Sequence, residues 1–461
     1  MSVRGALPEA KLLRGGSGVD TADGAYRAAL DFLNRFVDYE KGMPHAYSPV
    51  IFNLARTARL LDGLGRPEEA YPCLLIAGTK GKGSTAAFLE SMLRASGLRT
   101  GLYTSPHLHT WRERIQIDRK PIPKEEVASW IERLKPLVEE MSLSGDHGPP
   151  TYYEISTALA LGYFAAQGVD VAVLEVGLGG RLDATNVVRP RVSVLTTIGY
   201  DHMAILGSTL DRIAGEKAGI IKPGGWAVSA PQHPEAMAVF ESVCRQQRAS
   251  LWVAEGEQVR RAIPAGPSLS YPFAVETVPL GLRGGFQRTN ARVSVAVLLA
   301  LQEQGWAFAE GALRHGLETA RWPGRLEVVE ERPWLILDGA HNIDSARALR
   351  AALEDFPCRA RLLVVGFSRG HDVPAFLGEL APSSSHLIAC ASRHPRALAA
   401  EDVAGIAAQA TRIPVEVAPS VAAALERARA LASPDDLICV TGSLFVVAEA
   451  REACGLAEET D

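Results

Sequence analysis

Apolar positions along the chain fall into two alternating periods. Short unbroken apolar runs at Cys73 to Ala77, Thr100 to Tyr103, Val171 to Val176, Val192 to Thr197 and Trp226 to Ser229 predict buried strands. Between them apolar residues recur at helical spacing: Tyr26, Ala29, Leu30, Leu33 and Phe36, then Val50 to Leu64, Ala86 to Ala95, Val127 to Leu137, Tyr152 to Ala166, Leu210 to Ala218 and Glu235 to Arg248. Such alternation predicts a parallel sheet with helices on both faces. Gly42-Met43-Pro44 breaks the first helical stretch, and Ser142 to Pro150 reads as a turn-rich linker. From Leu251 to Leu282 the pattern turns to short β segments with Pro and Gly, and Phe286 to Gln304 is again helical. Near Arg321-Trp322-Pro323-Gly324-Arg325 it restarts as a second α/β unit, with strands at Trp334 to Leu337, Leu362 to Val365, His386 to Cys390, Val415 to Val417 and Leu437 to Val440. The expected organisation is a loosely ordered, disordered extension over 1–24, a first domain over 25–320 and a smaller second domain over 321–461.

Length and composition fit that division. At 461 residues, with 47% apolar and 22% charged positions, the chain exceeds what one core usually supports. A formal charge of -5 leaves no electrostatic footprint for nucleic acid or an anionic membrane. The six cysteines lack C-x-x-C spacing and several sit in apolar runs, as core thiols of a reducing compartment do. Met1 to Gly24 lacks a signal-peptide apolar core and no run reaches membrane-span length, so a cytoplasmic protein is expected.

One stretch carries the first chemistry. Gly78-Thr79-Lys80-Gly81-Lys82-Gly83-Ser84-Thr85 follows a strand pattern and opens a helix. Glycines let backbone N–H groups crowd around phosphate oxygens, the helix N-terminus adds its dipole, Lys82 adds a point charge, and Ser84 or Thr85 offers a hydroxyl to Mg²⁺. The loop is one residue shorter between Gly78 and Lys82 than the usual phosphate-loop spacing, and read alone it could be only a tight glycine connection.

Further candidates lie at strand carboxyl ends, where an open parallel sheet presents its ligand crevice. Glu175 ends an apolar strand and reads either as a Mg²⁺ ligand or as a salt-bridged structural carboxylate. His202, in Asp201-His202, could ligate a metal or be an ordinary hydrogen-bonded histidine. Lys217, inside Ile213-Ala214-Gly215-Glu216-Lys217-Ala218-Gly219, reads bottom-up as a solvated helix lysine. Gly177-Leu178-Gly179-Gly180 lacks the third glycine of a dinucleotide fingerprint, which argues against a Rossmann dinucleotide enzyme.

Together, Gly78 to Ser84, Thr104-Ser105-Pro106-His107-Leu108, Glu175 to Asn186 and Asp338-Gly339-Ala340-His341-Asn342 resemble the motif set of the folylpolyglutamate synthase/dihydrofolate synthase family, within the wider Mur-ligase group. The resemblance runs from about Phe52 to Val447. It implies an α/β fold, with an N-terminal P-loop-type parallel-sheet ATPase domain and a smaller C-terminal Rossmann-like domain. It also implies an ATP-dependent ligase that adds L-glutamate to dihydropteroate or to folate polyglutamates through an acyl phosphate. The reading favours bifunctional action, which many bacterial members show, with folate extension alone as the alternative, although no residue decides between them.

Residue by residue, the resemblance implies ATP bound along Gly78, Thr79, Lys80, Gly81, Lys82, Gly83, Ser84 and Thr85. Two Mg²⁺ ions would be held by Ser84 and Glu175, and by Ser105, Glu175 and His202. Lys82, His202 and Lys217 are the expected catalytic residues, Lys217 matching the family's carbamylated lysine. Asn290 matches an adenine contact, and Arg325 and Asp338 match phosphate and ribose contacts from the second domain. His341 and Ser443 would lie where glutamate binds. A monomer is implied.

Three positions depart from the family's pattern. Tyr153 stands where Phe is common, which bears on the pterin pocket. Asn53 replaces a usual glycine in Phe52-Asn53-Leu54. His371 replaces a usual lysine in Phe367-Ser368-Arg369-Gly370-His371-Asp372, which would make that position's charge pH-dependent. A Mur-type cell-wall ligase and a non-catalytic nucleotide switch are the competing readings.

Overall fold

The computed structural model describes residues 18–42, 47–145 and 147–461. Residues 1–17 of the expected extension, and Met43 and Pro44 of the expected break, lie outside them. Among the described residues ten strands form one sheet. In chain order they are β1 (Cys73–Ala77), β2 (Thr100–Tyr103), β3 (Ile115–Ile117), β4 (Lys120–Pro121), β5 (Val171–Glu175), β6 (Val192–Leu195), β7 (Trp226–Ser229), β8 (Ser250–Glu255), β9 (Gln258–Ile263) and β10 (Leu269–Ser270). Across the sheet the order is β10-β9-β8-β7-β6-β1-β5-β2-β3-β4. The strands from β8 to β2 are parallel, and the outer ones on each side run antiparallel.

Helices cover both faces, which is why every residue of β1 is buried. Leu75 and Ala77 face the core under α1 (Gly18–Leu33), which α2 (Leu54–Gly63) also joins; Leu74 and Ile76 face the core under α3 (Lys82–Ala95). The first layer is completed by α4 (Lys124–Ser144), α5 (Tyr152–Ala166), the short α6 (Met203–Leu206), α7 (Leu210–Ala218) and α8 (Pro234–Gln247). The second is completed by α9 (Phe286–Glu303) and α10 (Glu310–Thr319).

The second unit begins with β11 (Glu327–Glu331), antiparallel to β12 (Trp334–Leu337). Parallel strands β13 (Arg361–Val365), β14 (His386–Ala389), β15 (Val415–Val417) and β16 (Leu437–Thr441) complete a sheet of order β11-β12-β16-β13-β14-β15. One face packs against α11 (Ile343–Leu353), α12 (Val373–Leu380) and α13 (Ala400–Ala410), the other against α14 (Val421–Leu431) and α15 (Leu444–Ala453).

The α/β class and the two-sheet arrangement match the sequence reading, with local corrections. The helix expected from Tyr26 begins at Gly18, so residues 18–24, expected as loosely ordered, form its first turns. Asp23 holds them to Lys124 on α4 at 2.7 Å. The β segments after Leu251 extend the same sheet as an antiparallel edge, and α10, absent from the sequence reading, packs on α3. The linker starts later than expected, because α4 runs to Ser144. All six cysteines are unpaired thiols, and among the described residues no helix is long and apolar enough to cross a membrane.

Candidate active site

The phosphate loop joins β1 to α3, beside the carboxyl ends of β5 and β6. Gly78 is needed for close approach, since a Cβ there would stand 1.8 Å from Thr196 Oγ1. Gly81 has φ +87°, and its Cβ would stand 2.3 Å from Asn290 Oδ1. The Thr79 and Lys80 amides both donate to Thr197 O, at 3.0 and 3.1 Å, and are therefore spent internally. Gly81 caps α3 without a side-chain bond, so the first amides of that helix keep no intrahelical partner. This narrows the expected phosphate cradle to the residues from Gly81 onward.

A cleft of about 630 Å³ opens in front of the loop. Its walls include Thr79 to Ser84, Ser105, Tyr153, Glu175, His202 and Asn290 from the first domain and Arg325, Asp338 and His341 from the second. Gly78, Thr85, Lys217 and Ser443 are not among its lining residues. Of the two candidate hydroxyls, Ser84 reaches the cleft, where its Oγ accepts a bond from Gln287 Nε2 at 3.2 Å. Thr85 Oγ1 is buried without a partner.

Glu175 ends β5 in register with Ile76. Burial pushes its carboxyl up to about 6, while Lys82, Arg325 and the Ser105 backbone favour the charged form. Among the described residues no cluster of three His, Cys, Asp or Glu side chains could hold a metal alone. Mg²⁺ at a nucleotide site does not require one, because it is commonly held by one or two carboxylates with phosphate and water oxygens. A buried carboxylate facing cations without a hydrogen-bonded side-chain partner, lining the same cleft as the Ser84 hydroxyl, fits such an ion.

Lys217 is the clearest correction to the bottom-up reading. It is 5% exposed, not solvated, and lies behind the loop with Nζ donating to Gly78 O at 2.9 Å. Burial and the charge of Lys82 lower its amine to about 7. His202, with 44% of its side chain exposed, sits in a left-handed conformation on the loop after β6.

The hub of that loop is Asp201, which carried no role in the sequence reading. Its Oδ2 accepts from Lys80 Nζ at 3.0 Å and from Asn342 Nδ2 of the second domain at 3.3 Å, and His341 Nε2 approaches to 3.9 Å. Burial alone would raise this carboxyl, but His341 and Lys80 hold it well below the usual range. His341 is oriented by Nδ1, which donates to Gly339 O at 2.8 Å.

The other expected contacts are placed as follows. Asn290 is buried against the phosphate loop and donates from Nδ2 to Gln287 Oε1 at 2.8 Å. Asp338 accepts from the Leu326 and Ala340 amides at 2.8 and 2.9 Å, so it shapes the turn that carries Arg325. Ser443 caps α15, and Phe445, two residues on, lines the cleft in its stead.

The Gly177 to Asn186 motif is held from within and from outside. Asp183 accepts from the Gly177 and Leu178 amides at 3.0 Å each, and the Tyr47 hydroxyl accepts from Gly180 and Leu182 at 3.2 and 3.0 Å. Tyr153 sends its hydroxyl to Glu175 O at 3.3 Å. Asn53 caps α2 by accepting from the Ala55 amide at 3.0 Å. His371 was expected to vary in charge with pH. Burial and neighbouring His341, whose ring lies 5.2 Å away, lower it to about 4, so it is neutral near pH 7.

Asp201, Gln287, Asp183 and Tyr47 are the functional or supporting residues that motif reading missed. An acidic residue beside His202 was the only local signal for Asp201, and Asp183 lay within the Glu175 to Asn186 motif without a role of its own; Gln287 and Tyr47 show their parts only once the fold is assembled.

Residues 76–298 match the Mur ligase middle domain, and residues 324–444 match the Mur ligase, glutamate ligase domain. The dihydrofolate synthase/folylpolyglutamate synthase of Bacillus subtilis is 37% identical over 409 residues, covering 87% of this chain and 94% of that protein. A probable bifunctional folylpolyglutamate synthase/dihydropteroate synthase of Haloferax volcanii is 38% identical over 403 residues, covering 85% of this chain, and the match spans about half of that longer protein, 47%. The solved structure of Mycobacterium tuberculosis folylpolyglutamate synthase complexed with ADP superposes with a TM-score of 0.83 at 30% identity, covering 95% of this chain and 100% of that one.

Proposed function

This chain belongs to the dihydrofolate synthase/folylpolyglutamate synthase family of Mur ligases, and from that premise we propose that it is an ATP-dependent amide ligase joining L-glutamate to a pterin-borne carboxylate. The observation that carries the reading is the single cleft, lined by the phosphate loop and Glu175 from one domain and by Arg325, Asp338 and His341 from the other.

A carboxylate cannot be displaced by an amine directly, because oxide is the leaving group. One carboxylate oxygen attacks the γ-phosphorus of ATP, the bond to the bridging oxygen breaks, and ADP departs. Glutamate's neutral nitrogen then attacks the acyl carbon, the bond from that carbon to the phosphate oxygen breaks, inorganic phosphate leaves with that oxygen, and the nitrogen loses its proton as the amide forms.

The residues present suit these steps. Lys82 and the α3 amides offset the charge of the transferring phosphoryl group, and Arg325 adds a cation from the opposite wall. Ser84, Ser105, Glu175 and His202 are the residues that would hold Mg²⁺, which supplies charge neutralisation between phosphate oxygens. Asp201 keeps Lys80 engaged and ties the Asn342 turn, with His341, across the cleft. Closure of the two domains would bring the carboxylate, phosphate and amine into register.

We also read Lys217 as the site of a carbamate. Carbon dioxide adds only to the neutral amine, and burial leaves that form well populated near pH 7. The adduct replaces a buried cation beside Lys82 and Lys80 with an anion. Native intact mass in bicarbonate should show an added CO₂ that Lys217→Ala lacks.

One chain supplies both walls, so a monomer suffices for this chemistry. The function is tested by ADP release with ATP, Mg²⁺, and either dihydropteroate or tetrahydrofolate, each with and without glutamate. Glutamate-dependent ADP with both acids marks a bifunctional enzyme, and with tetrahydrofolate alone a folate extender. ADP release only with a UDP-linked cell-wall precursor would overturn the folate reading.

A further inference from the structure

After α15 the chain leaves the second domain and lies along the first. Leu456 O accepts from Arg451 Nη2 of α15 at 3.0 Å. Three residues on, Glu459 pairs with Arg112 and with Lys124 of α4. The Asp461 carboxylate accepts from the Tyr26 hydroxyl of α1 at 3.0 Å, from Thr110 Oγ1 at 3.1 Å and from the Trp111 amide. Its own amide donates to His109 O at 3.1 Å.

The contacts of Arg112, Thr110, Trp111 and His109 fall on one loop, residues 104–114, which joins β2 to β3, and those of Tyr26 and Lys124 on α1 and α4. The loop's near end carries Ser105 into the cleft, where its backbone meets Glu175. Its far end is stiffened by Glu113, whose carboxylate accepts from the Leu108, His109 and Thr110 amides at 2.8, 2.9 and 3.1 Å. The second domain grips the same loop once more, because Arg451 Nε donates to His109 Nε2 at 3.2 Å and the same guanidinium pairs with Glu327 on β11. The loop is therefore clasped between α15 and the segment 456–461. The glutamate ligase domain match ends at residue 444, so the segment lies outside it, whereas the residues it docks on from His109 to Lys124 lie within the middle-domain match.

We propose that residues 456–461 form a strap by which the second domain positions the Ser105 loop, with Asp461 and Glu459 as positioning residues for the ligase reaction. The proposal rests on the function given above. Because the strap belongs to one domain and its anchor to the other, rotation of the domains is transmitted to Ser105, and the cleft acquires its first-domain loop and its second-domain wall together.

The test is the full chain carrying Glu459→Ala and Asp461→Ala. Amide hydrogen exchange at His109, Thr110 and Trp111 should accelerate about tenfold while α3 and β1 keep their protection. KM for the pterin acid should rise about tenfold with kcat at saturation within about threefold, since bound substrate can re-order the loop. A synthetic peptide of residues 455–461 added to a chain lacking 456–461 should restore loop protection and leave KM raised, because it is severed from the second domain; a free peptide that restored KM as well would overturn the strap. Unchanged loop exchange and unchanged KM, or a loss of protection spread evenly over both domains, would overturn the strap. Wild-type protein that forms no amide while the variant's loop still exchanges faster would instead count against the ligase reading and leave the strap standing.

Discussion

The two walls of the cleft are held in different ways. The first-domain wall is tied by bonds that stay inside one domain: the Thr79 and Lys80 amides on Thr197 O, Lys217 on Gly78 O, and Asp183 on the Gly177 and Leu178 amides. The second-domain wall reaches its place through a few polar bridges, Asn342 to Asp201 at 3.3 Å and Arg396 Nη1 to Glu40 O at 3.0 Å among them, besides the segment after α15. A wall fixed by many internal bonds is preorganised before substrate arrives, whereas one held by a few part-buried bridges can move at less cost. The comparison teaches that chemistry placed on the first wall should fail outright when altered, and that residues bridging to the second should change binding and coordination of the steps.

The largest expected effect lies on the first wall. Lys82→Ala removes the cation proposed to offset the transferring phosphoryl group. At ~4 Å and an effective dielectric near 20 such a charge is worth about 4 kcal/mol, or roughly a thousandfold in kcat. ADP release at saturating substrates measures it. A loss smaller than about tenfold would mean that the second wall, through Arg325, carries the neutralisation, and would reverse the comparison.

Lys217→Met separates activity from stability. Without the amine no carbamate forms, and kcat should fall about a hundredfold. The metal-free protein should nevertheless become more stable. In the wild type the amine is lowered from 10.5 to about 7. Below about 7 both folded and unfolded chains carry the proton and the full cost of burying a cation is present. Between about 7 and 10.5 the unfolded chain binds more protons than the folded one, so wild-type stability rises with pH. The stabilisation by Met, on the order of a few kcal/mol at pH 7, should therefore shrink towards pH 10. Thermal melts in chelator at the two pH values read the difference; a gain that grew with pH would show that the lysine is paired instead.

How far this site was legible in the sequence follows the same division. The phosphate loop, Glu175 and the strands of both sheets are written in contiguous residues, because a parallel strand buried on both faces must be a short apolar run and its carboxyl end must face the crevice. Lys217 was misread by periodicity alone: a lysine on a short helix is usually solvated, and only assembly of β1, the loop and α7 shows that it points inward. The resemblance, not the pattern, singled it out. Asp201 was passed over for a related reason, since its partners Lys80 and Asn342 stand 121 and 141 residues away in the chain. The edges of the first sheet were indistinct because half-exposed antiparallel strands such as β9 and β10 lack the unbroken apolar signature.

Asp201→Asn probes a bridge between the walls. The amide keeps an acceptor for Asn342 but drops the charge that balances Lys80, which burial already disfavours as a cation. KM for glutamate should rise about tenfold, with ATP affinity nearly unchanged because Lys82 and the α3 amides remain. Equal losses for ATP and glutamate would place Asp201 with the phosphate loop alone and not across the cleft.

The smallest effect is expected from the position where the chain departs from its family's common phenylalanine. Tyr153 lines the cleft, yet its hydroxyl donates to Glu175 O at 3.3 Å and its ring packs on Gly177, where a Cβ would approach Cζ to 2.8 Å. The hydroxyl thus has a partner within the first wall's own scaffold. Tyr153→Phe keeps the ring and forfeits one long hydrogen bond, for a stability loss of about 0.5–1 kcal/mol. KM for dihydropteroate and for tetrahydrofolate should each stay within about twofold. A tenfold change in the ratio of the two kcat/KM values would instead put this hydroxyl in contact with the pterin, and a residue of the rigid wall would then set substrate choice.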